Sequence, residues 1–282
     1  MMKRAFVLLA ACLALGTAAG PARAGQLQDG LAAYRAGDYA AAVKDWFPLA
    51  LRGDAKAEFN VGRLYSHGQG VRKDHHMAAD WWRLAAKQGN ANAQTSLGFL
   101  YSMGQGVPQN DNKAAKWWRL AFKHWRPLAL RGDAEAQAKL GEFYDLAMGV
   151  PQSDIKAAKW WRLAAKQGNA NAQNKLGASY DLGMGVPRDY AKAAKWWRLA
   201  AKQGDAKAQT NLGMLYVRGQ GVPQDYVAAY MWFALGAAGS TRGMLSRGAK
   251  WRDFVAAHMT RAQIAEAQQR AEQFQPRPTA PN

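Results

Sequence analysis

The sequence predicts an all-α solenoid, and two repeating patterns lead to that fold class. From residue 53 onward, a Gly followed by Asp or Asn recurs five times, at steps of 36, 43, 36 and 36 residues. Paired aromatic residues recur at the same steps. A period of this length is typical of stacked helix pairs, each too small to bury its apolar face alone. The glycines are Gly53, Gly89, Gly132, Gly168 and Gly204, and the aromatic pairs begin at Trp81, Trp117, Trp160, Trp196 and Trp232.

The first helix of each repeat, helix A, has clear start and stop signals. In the first repeat Asp54 can cap a helix over Ala55–His67, because its carboxylate can accept hydrogen bonds from free backbone N–H groups. Gly68 follows at the position where a left-handed residue commonly ends a helix. The helix carries one apolar stripe at helical spacing. That stripe consists of Ala57, Val61, Leu64 and Tyr65.

The second helix, helix B, is predicted over about residues 75–88. Ala78, Trp81 and Trp82 fall in one apolar sector, whereas Arg83 and Lys87 project from the opposite side. Small Ala residues allow helices to approach closely, and the indoles can fill the space between helices. We therefore expect the tryptophans to be core residues rather than an exposed stacking surface for bases or sugars.

The 43-residue step implies a seven-residue insertion near residues 121–127. Seven residues make nearly two helical turns, so the apolar stripe can stay in phase. Pro127 lies in this segment, and we expect it to kink or break a lengthened helix B. The same repeat has Ala147 where the other turns have their first Gly, so that turn is expected to differ.

The chain ends are expected to protect the array. Residues 25–53 are predicted to form N-terminal capping helices, and residues 54–239 the five repeats. Residues 240–274 are predicted to form two capping helices, at 248–258 and 262–274. The Pro-rich residues 275–282 are predicted to be a disordered tail.

The N-terminus resembles an export signal. Residues 1–24 contain a basic start, an apolar run and the small-residue site Ala22-Arg23-Ala24, so cleavage is expected before Gly25. The predicted location is periplasmic or secreted. A weaker alternative is a lipoprotein acylated at Cys12.

Composition narrows the function classes. The 38 Lys and Arg against 20 Asp and Glu give a net charge of +18, which favours an acidic partner. The single Cys excludes a disulfide framework and a multi-thiolate metal site. An exported protein seldom meets nucleic acid, so a nucleic-acid partner is not expected.

The repeat unit resembles the Sel1-like repeat, a relative of the tetratricopeptide repeat. Its pattern is Ala-x-Ala-Gln-x-x-Leu-Gly-x-x-Tyr-x-x-Gly-x-Gly-Val-x-x-Asp, followed by Ala and Trp on helix B, and residues 205–239 show it well. Asn110 and Ser153 depart from it at the Asp position. The resemblance implies a right-handed solenoid and an exported, non-enzymatic adaptor that binds a protein partner.

In related solenoids the inner wall consists largely of A helices, so the resemblance also implies where a partner would bind. The candidate residues are A-helix positions that vary between copies. They are Phe59, Asn60, Arg63, Thr95, Phe99, Glu142, Lys175, Asn211 and Met214.

The basic blocks around the aromatic pairs support an alternative function. Cations at one repeated spacing could hold an acidic polysaccharide or an anionic membrane surface, although a solvated face explains them equally well. An envelope protein of that kind is the second hypothesis, and a hydrolase is the third. The basic face consists of Lys116, Arg119, Lys159, Arg162, Lys195 and Arg198.

Catalytic and cofactor motifs are not evident in the sequence. The Gly-x-Gly-Val turns follow helices rather than strands, which argues against a nucleotide-binding loop. His67, His75 and His76 flank one turn, but no two of them have the i, i+4 spacing of a helical metal site. We therefore predict no enzyme activity, no cofactor and no bound metal.

Overall fold

The computed structural model describes residues 20–239 and 242–276, without the side chains of residues 20–22 and 242–246. Within these ranges it contains fourteen α-helices and no β-strand, which confirms the predicted fold class. The predictions for the signal segment before residue 20, for Cys12 and for residues 277–282 lie outside the described ranges. The helices are α1 Gly20–Ala36, α2 Tyr39–Leu51, α3 Ala55–His67, α4 His75–Lys87, α5 Ala91–Met103, α6 Asp111–Leu130, α7 Ala134–Asp145, α8 Asp154–Lys166, α9 Ala170–Leu182, α10 Tyr190–Lys202, α11 Ala206–Arg218, α12 Tyr226–Ala238, α13 Arg242–Ala256 and α14 Arg261–Glu272.

The chain divides into two compact units, residues 1–124 and 125–282. In each unit consecutive helices pack as pairs, and each pair also contacts the next one, as α3 and α4 do with α5. No helix in the described ranges is both long and apolar enough to cross a membrane.

The helix starts follow the predicted capping pattern. Helix α3 begins directly after Asp54, whose Oδ1 accepts a hydrogen bond from the backbone N–H of Ala57 at 2.9 Å. The other A helices begin in the same way. Their capping residues are Asn90, Asp133, Asn169 and Asp205.

The two helices of a repeat meet where an indole ring of helix B lies against a glycine of helix A. A Cβ atom added to Gly177 would lie 2.6 Å from Cδ1 of Trp197, so only Gly fits there. Trp197 is 4% exposed, and its Nε1 donates to the carbonyl oxygen of Asn174 at 3.0 Å. The corresponding pairs are Gly30–Trp46, Gly62–Trp82, Gly98–Trp118, Gly141–Trp161 and Gly213–Phe233.

The two members of each aromatic pair have different environments. The second member faces the helix A glycine of its own repeat. The first member points about 100° away around the helix. Trp117, Trp160 and Trp196 are accordingly only half-buried, whereas Trp81 and Trp232 are buried.

A buried glutamine connects successive repeats. Gln173 is 2% exposed, and its Nε2 donates to the carbonyl of Ala165 in the preceding helix B at 3.1 Å. Its Oε1 accepts a hydrogen bond from Nε2 of Gln203, at the end of its own helix B, at 2.8 Å. Both polar ends of the side chain are thus satisfied inside the core. The hydrogen bond from the Gln Nε2 to a carbonyl of the preceding helix B recurs in other repeats. It joins Gln94 to Ala86, Gln137 to Ala129 and Gln209 to Ala201.

Glu58 takes the place of this glutamine in the first repeat. It is 2% exposed, and its Oε2 accepts a hydrogen bond from Nε2 of Gln88 at 2.7 Å. Burial raises the pKa of Glu58 to about 7; the hydrogen bond from Gln88 opposes the shift, and the charge of Asp54 adds to it. An ionised carboxylate has no hydrogen to donate. In the other repeats the Gln side chain donates to a carbonyl of the preceding helix, and the equivalent carbonyl here is that of Ala50. Only the protonated form of Glu58 can donate a hydrogen bond to it, so that form best replaces Gln.

The insertion lengthens one helix without breaking it. Helix α6 has 20 residues, whereas the other four B helices of the repeats have 13. It passes through Pro127, so of the predicted kink or break the break does not occur. Lys123 and Pro127 are both exposed, and water can therefore bind the Lys123 carbonyl that loses its partner N–H. Helix α2 accommodates Pro48 in the same way.

The turn after α7 keeps the left-handed conformation despite its alanine. Ala147 has φ 53°, and among the described residues it is the only non-glycine residue with a positive φ. Helix α7 ends at Asp145, with Leu146 as its C-cap. A residue with a Cβ atom is strained in the left-handed conformation. This turn therefore has a conformational free-energy cost that the other turns avoid because they have Gly at this position.

Helices at both ends cover the arrays. In the first unit Nε1 of Trp46 donates to the carbonyl of Leu27 at 3.1 Å, which fixes α2 on α1. In the second unit Phe233 stacks on Trp251 of α13, with ring centroids 6.3 Å apart. Helix α13 begins six residues before the predicted 248, and α14 begins one residue before the predicted 262 and ends two residues before the predicted 274.

Replacing Gly177 by Ala should destabilise the second unit by about 1–3 kcal/mol, because the new methyl group overlaps the Trp197 ring. Urea unfolding measures the cost. The same substitution in a Trp197→Phe background should cost less, since the smaller ring leaves room. Equal costs in both backgrounds would show that the indole does not impose the glycine.

Replacing Glu58 by Gln should remove a pH dependence of stability. The folded-state pKa lies above the ordinary 4.5, so the stabilisation is full below about pH 4.5 and is lost as the pH rises through about 7. At about pH 8 the Gln variant should be more stable than the wild type by about 1–3 kcal/mol, with no difference near pH 4.5. Thermal unfolding across this range tests it. Glu135→Gln, at an exposed position, controls for net charge, and a constant gap at every pH would contradict the assignment.

Candidate partner-binding site

In the first repeat the varying A-helix residues cover the core. Phe59 stacks on Trp82, with ring centroids 6.4 Å apart. The guanidinium of Arg63 lies 3.9 Å from the ring centroid of Tyr34 in α1, and burial lowers the pKa of Arg63. Asn60 is half-buried beside them. Phe59 and Arg63 therefore lie on aromatic rings instead of projecting freely.

The second repeat has a similar arrangement. Phe99 packs edge-on against Trp118, with ring centroids 5.5 Å apart. The carbonyl of Thr95 accepts a hydrogen bond from Nε1 of Trp118 at 3.2 Å. An aromatic side chain therefore covers the indole in both repeats.

The second unit has an open cavity on its A helices. The cavity has a volume of about 290 Å³ and lies between α9, α11 and α13. It brings together Lys175 and Asn211, two of the residues predicted for the binding surface. The other lining residues are Asn171, Asn174, Ala178, Lys207, Thr210 and Arg247.

One small side chain, Ala178, distinguishes this repeat from the others at the cavity. Asn174 occupies the helix position of Phe59 and Thr95, and Ala178 occupies that of Arg63 and Phe99. No large side chain covers this part of the groove, and α13 then supplies its far wall through Arg247.

The cavity is strongly cationic. Nζ of Lys175 lies 3.5 Å from a carboxylate oxygen of Asp145, which neutralises part of its charge. Lys207 and Arg247 make no ion pair in the described part of the chain. Lys207 interacts electrostatically with Asp205, whose side chain caps α11. Two exposed cations therefore remain available to a ligand.

One buried polar group in the cavity has no partner among the described residues. Asn174 is 8% exposed, and its Oδ1 accepts no hydrogen bond from any group that the structure describes. A buried carbonyl oxygen without a donor costs free energy, so a ligand that brings a donor to this point would gain from it. Asn171 at the rim already donates to Glu142, at 2.9 Å.

Two further predicted residues have structural partners. Glu142 forms an ion pair with Lys139 at 3.2 Å and accepts the hydrogen bond from Asn171, so it borders the cavity without lining it. Met214 packs against the apolar cluster of the C-terminal helices. Sequence reasoning missed Asn174 and Lys207. The available signal was Ala178, because every other copy has a larger residue at that position.

The basic face contains two kinds of cation. Arg162 donates to the hydroxyl of Tyr180 at 3.2 Å, and Arg198 donates to that of Tyr216 at 3.1 Å. These arginines tie one repeat to the next and are half-buried. The remaining members are exposed. They are Lys116, Arg119, Lys159 and Lys195.

The histidines flanking the first turn do not converge. Nδ1 of His67 lies 2.9 Å from the carbonyl of Arg63, and burial lowers the pKa of His75. No group of three potential metal ligands occurs among the residues that the structure describes.

Arg198 and Lys195 provide a matched pair for separating structural from surface charge. Arg198→Ala should destabilise the second unit by about 1 kcal/mol, because it removes a hydrogen bond between repeats. Lys195→Ala should change stability by less than about 0.5 kcal/mol. Urea unfolding measures both. Equal effects would refute the distinction between the two cations.

Comparisons with known proteins agree with this architecture. A family model for the Sel1 repeat matches residues 55–90, 91–124, 134–169, 170–205 and 206–240. A Sel1 repeat protein of known structure from Oxalobacter formigenes is 27% identical, covering 91% of this chain and 99% of its own, with a TM-score of 0.58.

A second solved structure shows a likeness of fold alone. It is an immunity protein from Pseudomonas aeruginosa, 20% identical, covering 79% of this chain and 84% of its own, with a TM-score of 0.52. No curated protein matches the chain. Five matched repeats span more than half of the sequence, and the chain therefore belongs to the Sel1 repeat family.

Proposed function

We propose that this protein is an exported adaptor, periplasmic or secreted, that binds a protein partner on its A-helix surface. Sel1 repeat proteins are generally scaffolds for protein–protein interaction, and the fold is typically non-enzymatic. The observation that carries the proposal is the open cavity among A-helix residues that vary between copies. The Gly, Trp and Gln residues that repeat are packed in the core instead. Partner binding can thus use residues that the fold does not need.

Cleavage of the signal is compatible with the N-terminal helix. Removal of residues 1–24 takes away the contacts of Arg23 with Arg52 and Asp54, which are long and exposed. Leu27 and Gly30, which hold Trp46, remain in the mature chain. The capping contact of α1 with α2 therefore does not need the signal segment.

The second candidate is an envelope protein that holds an acidic polysaccharide or an anionic surface. Its support is the exposed lysine at the same position of successive repeats, Lys159 and Lys195 in the second unit. Arg162 and Arg198 contribute less to such a face, because their guanidinium groups bind tyrosines.

Photo-crosslinking in the producing bacterium tests the proposal. A photoreactive residue at Asn171, on the rim of the A-helix cavity, should give a discrete protein adduct. The adduct should still form when a wash in about 0.5 M salt precedes irradiation, since apolar and hydrogen-bonded contacts are screened less than surface charge. N-terminal sequencing of the same sample should begin at Gly25.

The matched control carries the photoreactive residue at Lys159 on the basic face, where no adduct is expected. Adducts only from Lys159 that disappear in salt, or attachment to polysaccharide, would favour the second candidate. A mature chain that starts at Cys12 would assign it as a lipoprotein, and a chain retained in the cytoplasm would contradict export.

A further inference from the structure

We infer that the solvent-facing side of α8 and α10 binds a polysaccharide of uronic-acid rings, in which a ring stacks on an indole and its carboxylate meets a lysine. This inference rests on the second candidate function and deepens it, because it names the class of sugar and the side chains that recognise it. The indole–lysine face consists of Lys159 and Trp160 on α8 and of Lys195 and Trp196 on α10.

The first and last repeats cover the first indole of their aromatic pair with a ring from elsewhere in the chain. Phe47 packs edge-on against Trp81, with ring centroids 5.7 Å apart. Phe274 packs edge-on against Trp232, with ring centroids 5.6 Å apart. The two covered indoles are only 3% and 6% exposed. The outer side of this indole can therefore accept another ring.

The corresponding indoles of α8 and α10 are open. Trp160 and Trp196 are half-buried, and no other aromatic ring packs against them in the part of the chain that the structure describes. Trp196 contacts the core cluster of the second unit, which fixes the orientation of its ring. Leu163, one turn after Trp160, is 40% exposed and extends the apolar surface. Each open indole is thus a fixed platform at the protein surface.

Lysines accompany the open indoles and are missing beside the covered ones. The positions four residues and one residue before the indole are both lysines wherever the indole is half-buried, and are uncharged or acidic where it is covered. A positive charge therefore occurs where the ring is available to a ligand. The lysines are Lys113, Lys116, Lys156, Lys159, Lys192 and Lys195, and their counterparts beside the covered indoles are Met77, Asp80, Ala228 and Met231.

The lysines next to the open indoles are free to bind an anion. Lys159 and Lys195 are exposed and form no ion pair with any residue that the structure describes, whereas Lys192 pairs with Asp189 at 2.8 Å. Helices α8 and α10 each carry four Lys or Arg residues, and Asp154 is the one acid in either helix. The face thus attracts a ligand with anions at a regular spacing.

A uronic acid combines the two features that the face provides for. Its pyranose ring has a C–H face that can lie on an indole, and its carboxylate projects from the edge of the ring, where a lysine ammonium can donate charge-assisted hydrogen bonds. A polymer of phosphate groups without rings would leave the indoles unused. A membrane would need apolar side chains that protrude into the acyl region, whereas Trp160 and Trp196 are half inside the core.

Fluorescence anisotropy with two octameric probes tests the inference. One probe is fluorescein-labelled octagalacturonate, and the other is a fluorescein-labelled, amidated octapeptide of aspartate, which has as many carboxylates but no rings. In about 0.1 M salt the purified full-length protein should bind the sugar about ten-fold more tightly than the peptide. Trp160→Leu combined with Trp196→Leu keeps an apolar side chain at each position and should remove this preference, while the affinity for the peptide stays the same.

Further variants separate charge from stacking. Lys159→Gln combined with Lys195→Gln should weaken both probes by about ten-fold or more. The matched control, Lys56→Gln combined with Lys250→Gln, removes the same charge at exposed positions elsewhere and should change binding by less than about two-fold.

Another variant leaves both indoles in place. Leu163→Glu adds a negative charge one turn from Trp160 and should weaken the sugar by about ten-fold. Leu182→Glu, at a position on α9 that is 55% exposed, adds the same charge outside the face and should leave binding unchanged. Circular dichroism checks that each variant keeps its helices.

Three outcomes would overturn the inference. Equal affinity for the two probes, or an unchanged preference in the indole variant while the lysine variant loses binding, would show a charged face without stacking; the second candidate would then stand and this inference alone would fail. Tighter binding of phosphatidylglycerol vesicles than of the sugar would assign the face to an anionic membrane. No binding of the sugar at about 0.3 mM protein would remove the polysaccharide altogether and leave the adaptor function to its own test at Asn171.

Discussion

The fold depends on an indole that occupies the space where a helix A side chain would be. Because Gly177 has no Cβ, the Trp197 ring can lie directly on the backbone of α9 and donate to its Asn174 carbonyl. This contact fixes how closely the two helices of a repeat approach. With that spacing fixed, a glutamine such as Gln173 can reach the carbonyl of the preceding helix, and each repeat is locked to the one before it. The outer A-helix positions take no part in either contact, so they are free to vary.

The sequence was sufficient for the parts of the fold that repeat. The glycine period, the capping Asp and Asn residues and the aromatic pairs each specify local structure, and five copies in phase leave little ambiguity about how the helices pair. The errors concern features that occur once. Pro127 was expected to kink or break α6, and it does not break it, because a single lost hydrogen bond at an exposed carbonyl is a small cost compared with the packing of the whole helix.

The cavity was harder to predict because it consists of missing side chains and of one residue outside the repeats. Lys175 and Asn211 were identified from their variation between copies. Ala178 matters only because nothing larger fills its position, and Arg247 comes from α13, whose place follows from packing onto α12 rather than from the period. The arginines of the basic face show the converse: Arg162 has the expected position on its helix, but its tyrosine partner lies 18 residues away in the next repeat.

The length of α6 bears on how such an array can grow. An α-helix turns about 100° per residue, so a graft of seven residues rotates the downstream part of the helix by only about 20° from its former direction. Ala114, Ala121, Trp125 and Ala129 accordingly all remain buried along one continuous helix. A joint of one heptad within helix B therefore leaves the apolar stripe in phase. An array can thus take up seven extra residues inside a helix while these side chains stay buried.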